Sequence, residues 1–538
     1  MLGILFLILA YIAFFLSCVI EYSNYYVRNV LFVNNWNQIL FNLNMGMEGA
    51  DDVWQTVVSQ FFERYGTALL IMLVVLIAGI VLCLWYRQRK KNAQKHLLPS
   101  RYELTSQSRM LRTFCACLMC LSLAQTMFTA DSTLDSLGYY RYLENQGKDT
   151  GFFESYYMNP REVSITAPEE KKNLLTIVIE SMEVTYTDKE HGGVYDVNYI
   201  PALTDIALNN TSFSDEGIMQ GSECTNGTNY TAAALVGLST GVPLTYVSNE
   251  IKEQKEWYGH SDKPYLPGAV SIGQILEENG YSNTFILGSD SEYSGRKNFF
   301  QQHGNYNILD YYAAVERGYA PEGYWVWWGV EDRIMYQMAK DELTALSQQD
   351  QPFNCLVLTA DTHFPDGYCD EECEDLYGNQ MKNVFTDTDR QLRSFLDWCE
   401  QQPWYEDTVI VITGDHSTMD GQVNAELKDM GVTRRGVYTA IINGPEYLNG
   451  KRDYTIMDLF PTTLGALGFT IDGNRLGLGT NMYSDSPTLS ETFGLDRLNE
   501  EIDAATLFYK KNIAQVAVSE EEEAAAQKET EKEEEDAD

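Results

Sequence analysis

Basic residues and histidine are scarce in this chain, which has 38 Lys+Arg and 6 His against 77 Asp+Glu in 538 residues. The formal charge of −39 argues against nucleic-acid binding, because a phosphate-facing surface needs clustered Lys and Arg. The six histidines are nowhere clustered, and the densest cysteine group, Cys115, Cys117 and Cys120, shows no paired metal-site pattern and lies within an apolar run. These three pack as small apolar residues within the span rather than as a lipid-buried zinc site. No internal repeat is present. No basic stretch precedes the first apolar run and no small-x-small cleavage site follows it, so that run reads as an anchor rather than a removable signal. An aromatic content of 12%, including 35 Tyr, rules out a mainly disordered chain.

Apolar density is concentrated before residue 131. Residues 2–20, 67–86 and 113–130 read as three membrane spans, the last weakened by Gln125 and several small polar residues. Between the second and third lie Arg87, Arg89, Lys90, Lys91, Lys95, Arg101, Arg109 and Arg112 against the single acid Glu103. The loop after the first span has only Arg28 and Arg64 beside Glu21, Glu48, Asp51, Asp52 and Glu63. The positive-inside rule then places 87–112 in the cytoplasm and everything after 131 outside. Expected domains are a membrane region over 1–130, a connector over 131–171, a globular domain over 172–510 and an acidic, disordered tail over 511–538. The stretch 519–538 alone contributes −9 to the net charge. Among the five cysteines beyond the spans, Cys369 and Cys373 in CDEEC are close enough to bridge in an oxidising compartment, but spacing does not establish the bond.

From residue 172, short apolar runs alternate with amphipathic segments. The runs 173–181, 281–289, 353–360, 407–415 and 437–444 read as strands covered on both faces, and 231–239, 270–279, 330–347, 385–401 and 457–468 as helices. This alternation predicts a doubly wound α/β domain, whose ligands gather at the carboxyl edge of the sheet. Four strand ends carry polar residues there: Glu180 and Ser181; Ser289, Asp290 and Arg296; Asp361, Thr362 and His363; Asp415 and His416.

Glu180, Asp415 and His416 supply two carboxylates and an imidazole, a hard donor set suited to Mn²⁺, Mg²⁺ or Zn²⁺. Thr225, Thr228 and Thr231 precede or open a helix, where a hydroxyl can act as nucleophile toward a bound anion. A helix N-cap is the competing role for Thr231. His303 in QQHG fits a supporting or a structural role, while His96, His191 and His260 read as surface residues. Trp327 and Trp328 fit either a substrate groove or the core.

The motifs NLLTIVIESME, TAAALVGLSTGVPL from Thr231, LGSDSEYSGRKNFFQQHG, TADTHFPDGY, VIVITGDHS and MDLFPTTLGALG resemble, over about 172–480, the membrane-anchored phosphoglycerol transferases of the sulfatase/alkaline-phosphatase superfamily, lipoteichoic acid synthase among them. The resemblance implies a sulfatase/alkaline-phosphatase-like extracytoplasmic domain behind the membrane helices. It selects Thr231 as nucleophile over Thr225 and Thr228, and assigns Glu180, Thr231, Asp415 and His416 to one divalent metal, Mn²⁺ favoured over Mg²⁺ or Zn²⁺. It assigns Arg296 and His363 to the substrate phosphate and Asp290 to the glycerol hydroxyls. The implied reaction moves glycerol phosphate from phosphatidylglycerol to a glycan or polyglycerolphosphate acceptor through a phosphothreonine, at the cell membrane. Three spans rather than the five usual in lipoteichoic acid synthases leave the acceptor open. A sulfatase would need a Cys/Ser-x-Pro-x-Arg run that 224–244 lacks; a phosphoethanolamine transferase would carry a His-rich segment, also absent; an inactive tethered binding protein would not need all of Glu180, Thr231, Asp415 and His416.

Overall fold

A computed structural model describes residues 2–29, 36–45, 51–95, 101–145, 148, 150–245, 264–447, 449–504 and 506–515. His96, His260 and most of the acidic tail lie outside the described residues. The chain divides into two compact units, Met1–Trp36 with Met47–Arg141, and Asn37–Gly46 with Tyr142–Asp538.

The first unit contains α1 (Leu2–Asn29), α3 (Asp51–Lys95) and α4 (Arg101–Ser136). Within them Leu2–Arg28, Val57–Asn92 and Ser106–Ser136 are long and apolar enough to cross a membrane. Between α1 and α3 lies a helix that composition did not announce, α2 (Trp36–Met45), whose residues from Asn37 onward group with the second unit.

The second unit is built on six strands: β1 (Asn173–Ile179), β2 (Ser282–Leu287), β3 (Asn307–Leu309), β4 (Phe353–Leu358), β5 (Thr408–Gly414) and β6 (Thr439–Ile442). Their order is β3-β2-β4-β1-β5-β6, all parallel except β6, which runs antiparallel to β5. Alternate residues of each strand enter two separate cores. Leu174 and Val178 pack on one face with Phe285, Leu356 and Val411, beneath the helices Thr231–Thr240 and Leu459–Ala466. Leu175, Ile177 and Ile179 pack on the other with Val357 and Ile412, against Pro201–Asn209, Asp332–Leu346 and Gln380–Glu400. Coverage on both faces explains the nearly unbroken apolar strands.

Two boundaries differ from the sequence expectation. Residues 511–514, assigned there to the tail, complete a helical turn over Tyr509–Ala514 in which Ile513 and Ala514 are fully buried. The apolar NIAQVAV stretch delays the start of the acidic run. The connector 131–171 also contributes to the fold, because Phe152 and Phe153 are buried in the globular core.

Candidate active site

Strand register brings the first ligand-bearing residues together. β1 and β5 are adjacent and parallel with Ile179 opposite Gly414, so the next residues, Glu180 and Asp415, leave the same sheet edge side by side. Gly414 is required by this proximity: a Cβ there would lie 2.2 Å from the Met182 carbonyl oxygen. The chain turns immediately after Glu180 at Ser181, whose φ of 54° is left-handed. That turn aims the Ser181 N–H at Asp415 Oδ1, 2.7 Å away, and its hydroxyl at Glu180 Oε1, 2.8 Å away.

Ligand atoms of Glu180, Asp415 and His416 all lie within 4.8 Å of one another, and all three residues are buried. His416 Nδ1 lies 2.9 Å from the Ser417 carbonyl, which assigns its proton to Nδ1 and leaves Nε2 as an acceptor. Nε2 lies 3.3 Å from Asp415 Oδ2 and 3.5 Å from Glu180 Oε1. Asp415 Oδ2 is buried and receives no hydrogen bond, although Oδ1 receives two N–H groups, from Ser181 and His416. Burial and the neighbouring Glu180 charge push the Asp415 carboxyl up to about 7. An unpaired buried oxygen beside a second carboxylate and a free imidazole nitrogen fits a divalent cation.

Thr231 joins this cluster. Its hydroxyl donates to Glu180 Oε2 at 3.0 Å and lies 3.4 Å from His416 Nε2. The N-cap of the helix is Tyr230, with no side-chain cap, so the Thr231 hydroxyl is not occupied as a cap. Thr225 and Thr228 are buried against each other, their hydroxyls 2.9 Å apart, and the Thr225 N–H donates to Thr228 Oγ1. They close the turn leading to Thr231.

Arg296 opens a short helix and is 8% exposed. Its Nε donates to the Tyr293 carbonyl at 3.0 Å and Nη2 to the Asp290 carbonyl at 2.7 Å, which fixes the guanidinium with no carboxylate bonded to it among the described contacts. Burial lowers its pKa from the usual arginine value, against the opposing charges of Tyr293 and Asp290. The Asp290 carboxylate accepts from the Glu292 N–H and the Tyr312 hydroxyl. Asp290 thus shapes the turn that holds Arg296.

His363 lies at the end of the β4 segment, with Nδ1 2.6 Å from the Phe364 carbonyl. Its ring stacks on Phe364 and meets Trp328 edge-on, with centroids 4.7 Å apart in each case. Enclosure in protein pushes its pKa down to about 4, with His416 and Arg296 adding to the effect. Trp328 in turn contacts Tyr293, so the aromatic pair flanks both phosphate-binding candidates. His303 is buried instead, its Nε2 2.6 Å from the Tyr265 carbonyl and its ring stacked on Phe299. His191 pairs with Asp188 at 2.7 Å. Cys369 and Cys373 form a disulfide, with Cα atoms 5.3 Å apart.

The supporting residues had no sequence signal. Glu183 is fully buried and bonded by Arg435 through Nε and Nη2; it also accepts from the Thr418 N–H at 2.8 Å and from Thr185 Oγ1 at 2.8 Å. This ties the segment following His416 to the segment following Glu180. Asp332 accepts from the Ala360 and Asp361 N–H groups, while Asp361 accepts from the Asp332 N–H, clasping the loop that carries His363. From that loop Thr359 Oγ1 accepts the Glu180 N–H at 3.0 Å, and the Thr362 hydroxyl donates to the Glu180 carbonyl.

Residues 172–469, more than half of the chain, match the Sulfatase family. Phosphoglycerol transferase I of Escherichia coli O127:H6 is 30% identical over 377 residues, 68% of this chain and 44% of that protein. Phosphoglycerol transferase I of Salmonella choleraesuis is 31% identical over 355 residues, 63% of this chain and 42% of that protein. The chain spans under half the length of these relatives. Among solved structures, lipoteichoic acid synthase LtaP from Listeria monocytogenes aligns with a TM-score of 0.45 at 18% identity, covering 60% of this chain and 79% of that one. A Vibrio parahaemolyticus protein of the alkaline phosphatase superfamily aligns with a TM-score of 0.44 at 19% identity, covering 66% and 80%.

Proposed function

The chain belongs to the sulfatase family, and on that premise we propose that it is a membrane-tethered, metal-dependent phosphoglycerol transferase. The donor is phosphatidylglycerol and the acceptor a glycan or polyglycerolphosphate hydroxyl. The observation that carries this reading is the Thr231 hydroxyl: it stands at the first turn of a helix, is not used as a cap, and contacts both Glu180 and His416. The identity to phosphoglycerol transferases over 377 residues supports the same substrate class.

Glu180, Asp415 and His416, with Thr231, would hold one divalent ion, Mn²⁺ in preference to Mg²⁺ or Zn²⁺. When bound, the ion supplies Lewis acidity that favours the ionised hydroxyl and offsets charge on phosphorus. Thr231 Oγ1 directs its proton toward Glu180 Oε2 and, once deprotonated, attacks the phosphodiester. The P–O bond to the diacylglycerol oxygen breaks, that oxygen takes up a proton, and glycerol phosphate remains esterified to Thr231. An acceptor hydroxyl then loses its proton and attacks phosphorus, and Thr231 leaves with its proton restored. Arg296, held by two carbonyls, and His363, with Nδ1 engaged and Nε2 left over, serve the phosphate oxygens in both steps. Asp290 is assigned to the glycerol hydroxyls.

The spans Leu2–Arg28, Val57–Asn92 and Ser106–Ser136 support a multi-pass cell-membrane protein. The eight basic residues over 87–112 support a cytoplasmic loop there and a globular domain on the opposite side, facing the lipid headgroups. The test is incubation of the full-length protein with acyl-chain-labelled phosphatidylglycerol, together with elemental analysis. Wild type should release diacylglycerol and hold one metal per chain, while Asp415→Asn and His416→Ala lose both. Equal metal in wild type and variants would refute the ligand set, and no diacylglycerol release by metal-loaded wild type would refute the donor.

A further inference from the structure

Residues 29–47, between the first two apolar helices, contain no charged side chain and six asparagines, in a chain that is 21% charged overall. A loop between spans has no need to be uncharged. Part of it folds as α2, and its residues from Asn37 onward group with the globular unit. Gln38 in the first turn of α2 is 3% exposed. Its Oε1 accepts from Asn229 Nδ2 at 3.2 Å, and its Nε2 lies 4.0 Å from Met419 Sδ. Asn229 stands two residues before Thr231, and Met419 three residues after His416. One side chain from the inter-span segment therefore touches the two loops that deliver the nucleophile and a metal ligand.

We propose that α2 is a working wall of the active site, and that Gln38 is a positioning residue which fixes the Asn229–Thr231 turn through the Gln38–Asn229 amide pair. The proposal deepens the transferase reading and rests on it for the substrate. The chemistry suits a site for an anionic phosphodiester: amides hydrogen-bond in both directions and carry no charge that would repel the phosphate. Asn229 Oδ1 is buried without a hydrogen-bond partner, so the pair has spare acceptor capacity, which a headgroup hydroxyl entering between α2 and the turn would use. Because α2 is joined in sequence to the apolar helices before and after it, this arrangement ties the turn before Thr231 to a segment that continues into both of them.

Two measurements on the full-length protein in phosphatidylglycerol vesicles test this separately from the reaction itself. In the first, Gln38→Cys combined with Met419→Cys should be joined within the chain by a flexible bis-maleimide, since the contact is between the tips of two long side chains, and neither single variant should. Failure to cross-link, with both thiols reactive in denaturant, overturns the placement of α2 whatever the activity. In the second, Gln38→Ala should lower kcat about tenfold with metal content and melting temperature unchanged. Asn229→Ala should match it, and the double alanine variant should be no worse than either single. Gln38→Asn with Asn229→Gln, which restores an amide pair of the same combined length, should recover most of the loss. Additive losses, or a loss tracking melting temperature, would reduce α2 to a structural prop and overturn the proposal. A positive cross-link with an inactive wild type would instead locate the failure in the transferase reading.

Discussion

Replacing Arg435 with methionine is the sharpest probe of how the site is held. Burial alone would lower the Arg435 pKa, but the Glu183 carboxylate overrides that and raises it, so the guanidinium keeps its charge in the folded protein. Glu183 is wholly buried and the Arg435 side chain 22% exposed. Removing one partner of a buried pair costs about 3–5 kcal/mol, because the remaining charge stays desolvated. Two features move the expectation to the lower end of that range. Glu183 keeps the Thr418 N–H, the Thr185 hydroxyl and the Tyr186 hydroxyl as donors, and Arg435 is partly hydrated already. Against this, Arg435 also bonds Asn424 Oδ1, so the 418–424 segment loses a second tie. We expect a loss of ~3 kcal/mol.

The loss should be local in its consequences. Thermal unfolding of the detergent-solubilised full chain gives the stability term, and hydrogen exchange over 416–424 shows where protection disappears. Glu183→Gln combined with Arg435→Met removes both charges and should recover more than half of the deficit. If Arg435→Met costs less than ~1 kcal/mol, in the range of an exposed pair, then burial of the Glu183 charge has been misjudged. If the double variant is as unstable as the single, the cost lies in packing rather than in an unpaired charge.

Two further expectations concern the nucleophile and a buried histidine. Thr231→Ala should reduce transfer by several orders of magnitude while the fold survives, and Thr231→Ser should retain part of it; Thr225→Ala and Thr228→Ala should keep transfer in proportion to the folded fraction, so near-normal turnover in Thr231→Ala would remove the covalent route. His303 has its pKa pushed down by burial, from 6.5 to about 4. Between those values the unfolded state binds the extra proton, so its contribution is fully present above pH 6.5 and is lost as pH falls toward 4, by up to about 3 kcal/mol. Melting temperature followed from pH 7 to 4.5 should fall less steeply for His303→Gln than for wild type, and parallel slopes would refute the assignment.

What could be read from the sequence was what the chain encodes locally. Runs such as NLLTIVI and DTVIVITG bury both faces, so their ends mark a sheet edge, and the polar residue after each run falls where ligands collect. The direction of β6 was hidden, since an apolar run of four residues reads the same in either orientation. β3 is only three residues long and gives no pattern. The helix Pro201–Asn209 is marked in the sequence by a proline at its first position followed by apolar residues at helical spacing. The Glu183–Arg435 pair joins positions 252 residues apart, and α2 is an uncharged stretch that composition alone assigns to a loop. Such long-range pairings are set by the fold as a whole and leave no local period.

The buried acids at this sheet edge fall into two kinds, and the difference separates support from chemistry. Glu183 is enclosed by donors on both oxygens. Asp332 accepts the Ala360 and Asp361 N–H groups, and Asp361 accepts the Asp332 N–H. Asp389, elsewhere in the unit, likewise accepts the Ala202 and Leu203 N–H groups at the start of a helix. Each is what burial of a carboxylate demands. Asp415 breaks the pattern, with one oxygen fully bonded and the other facing Glu180, His416 Nε2 and no donor. Folding has no use for an orphan acceptor beside a second carboxylate, since the arrangement raises the cost of ionising Asp415. The same geometry is what a cation needs. Satisfied carboxylates at this sheet edge therefore mark the scaffold, and the open oxygen of Asp415 marks the place where something from outside the chain completes the site.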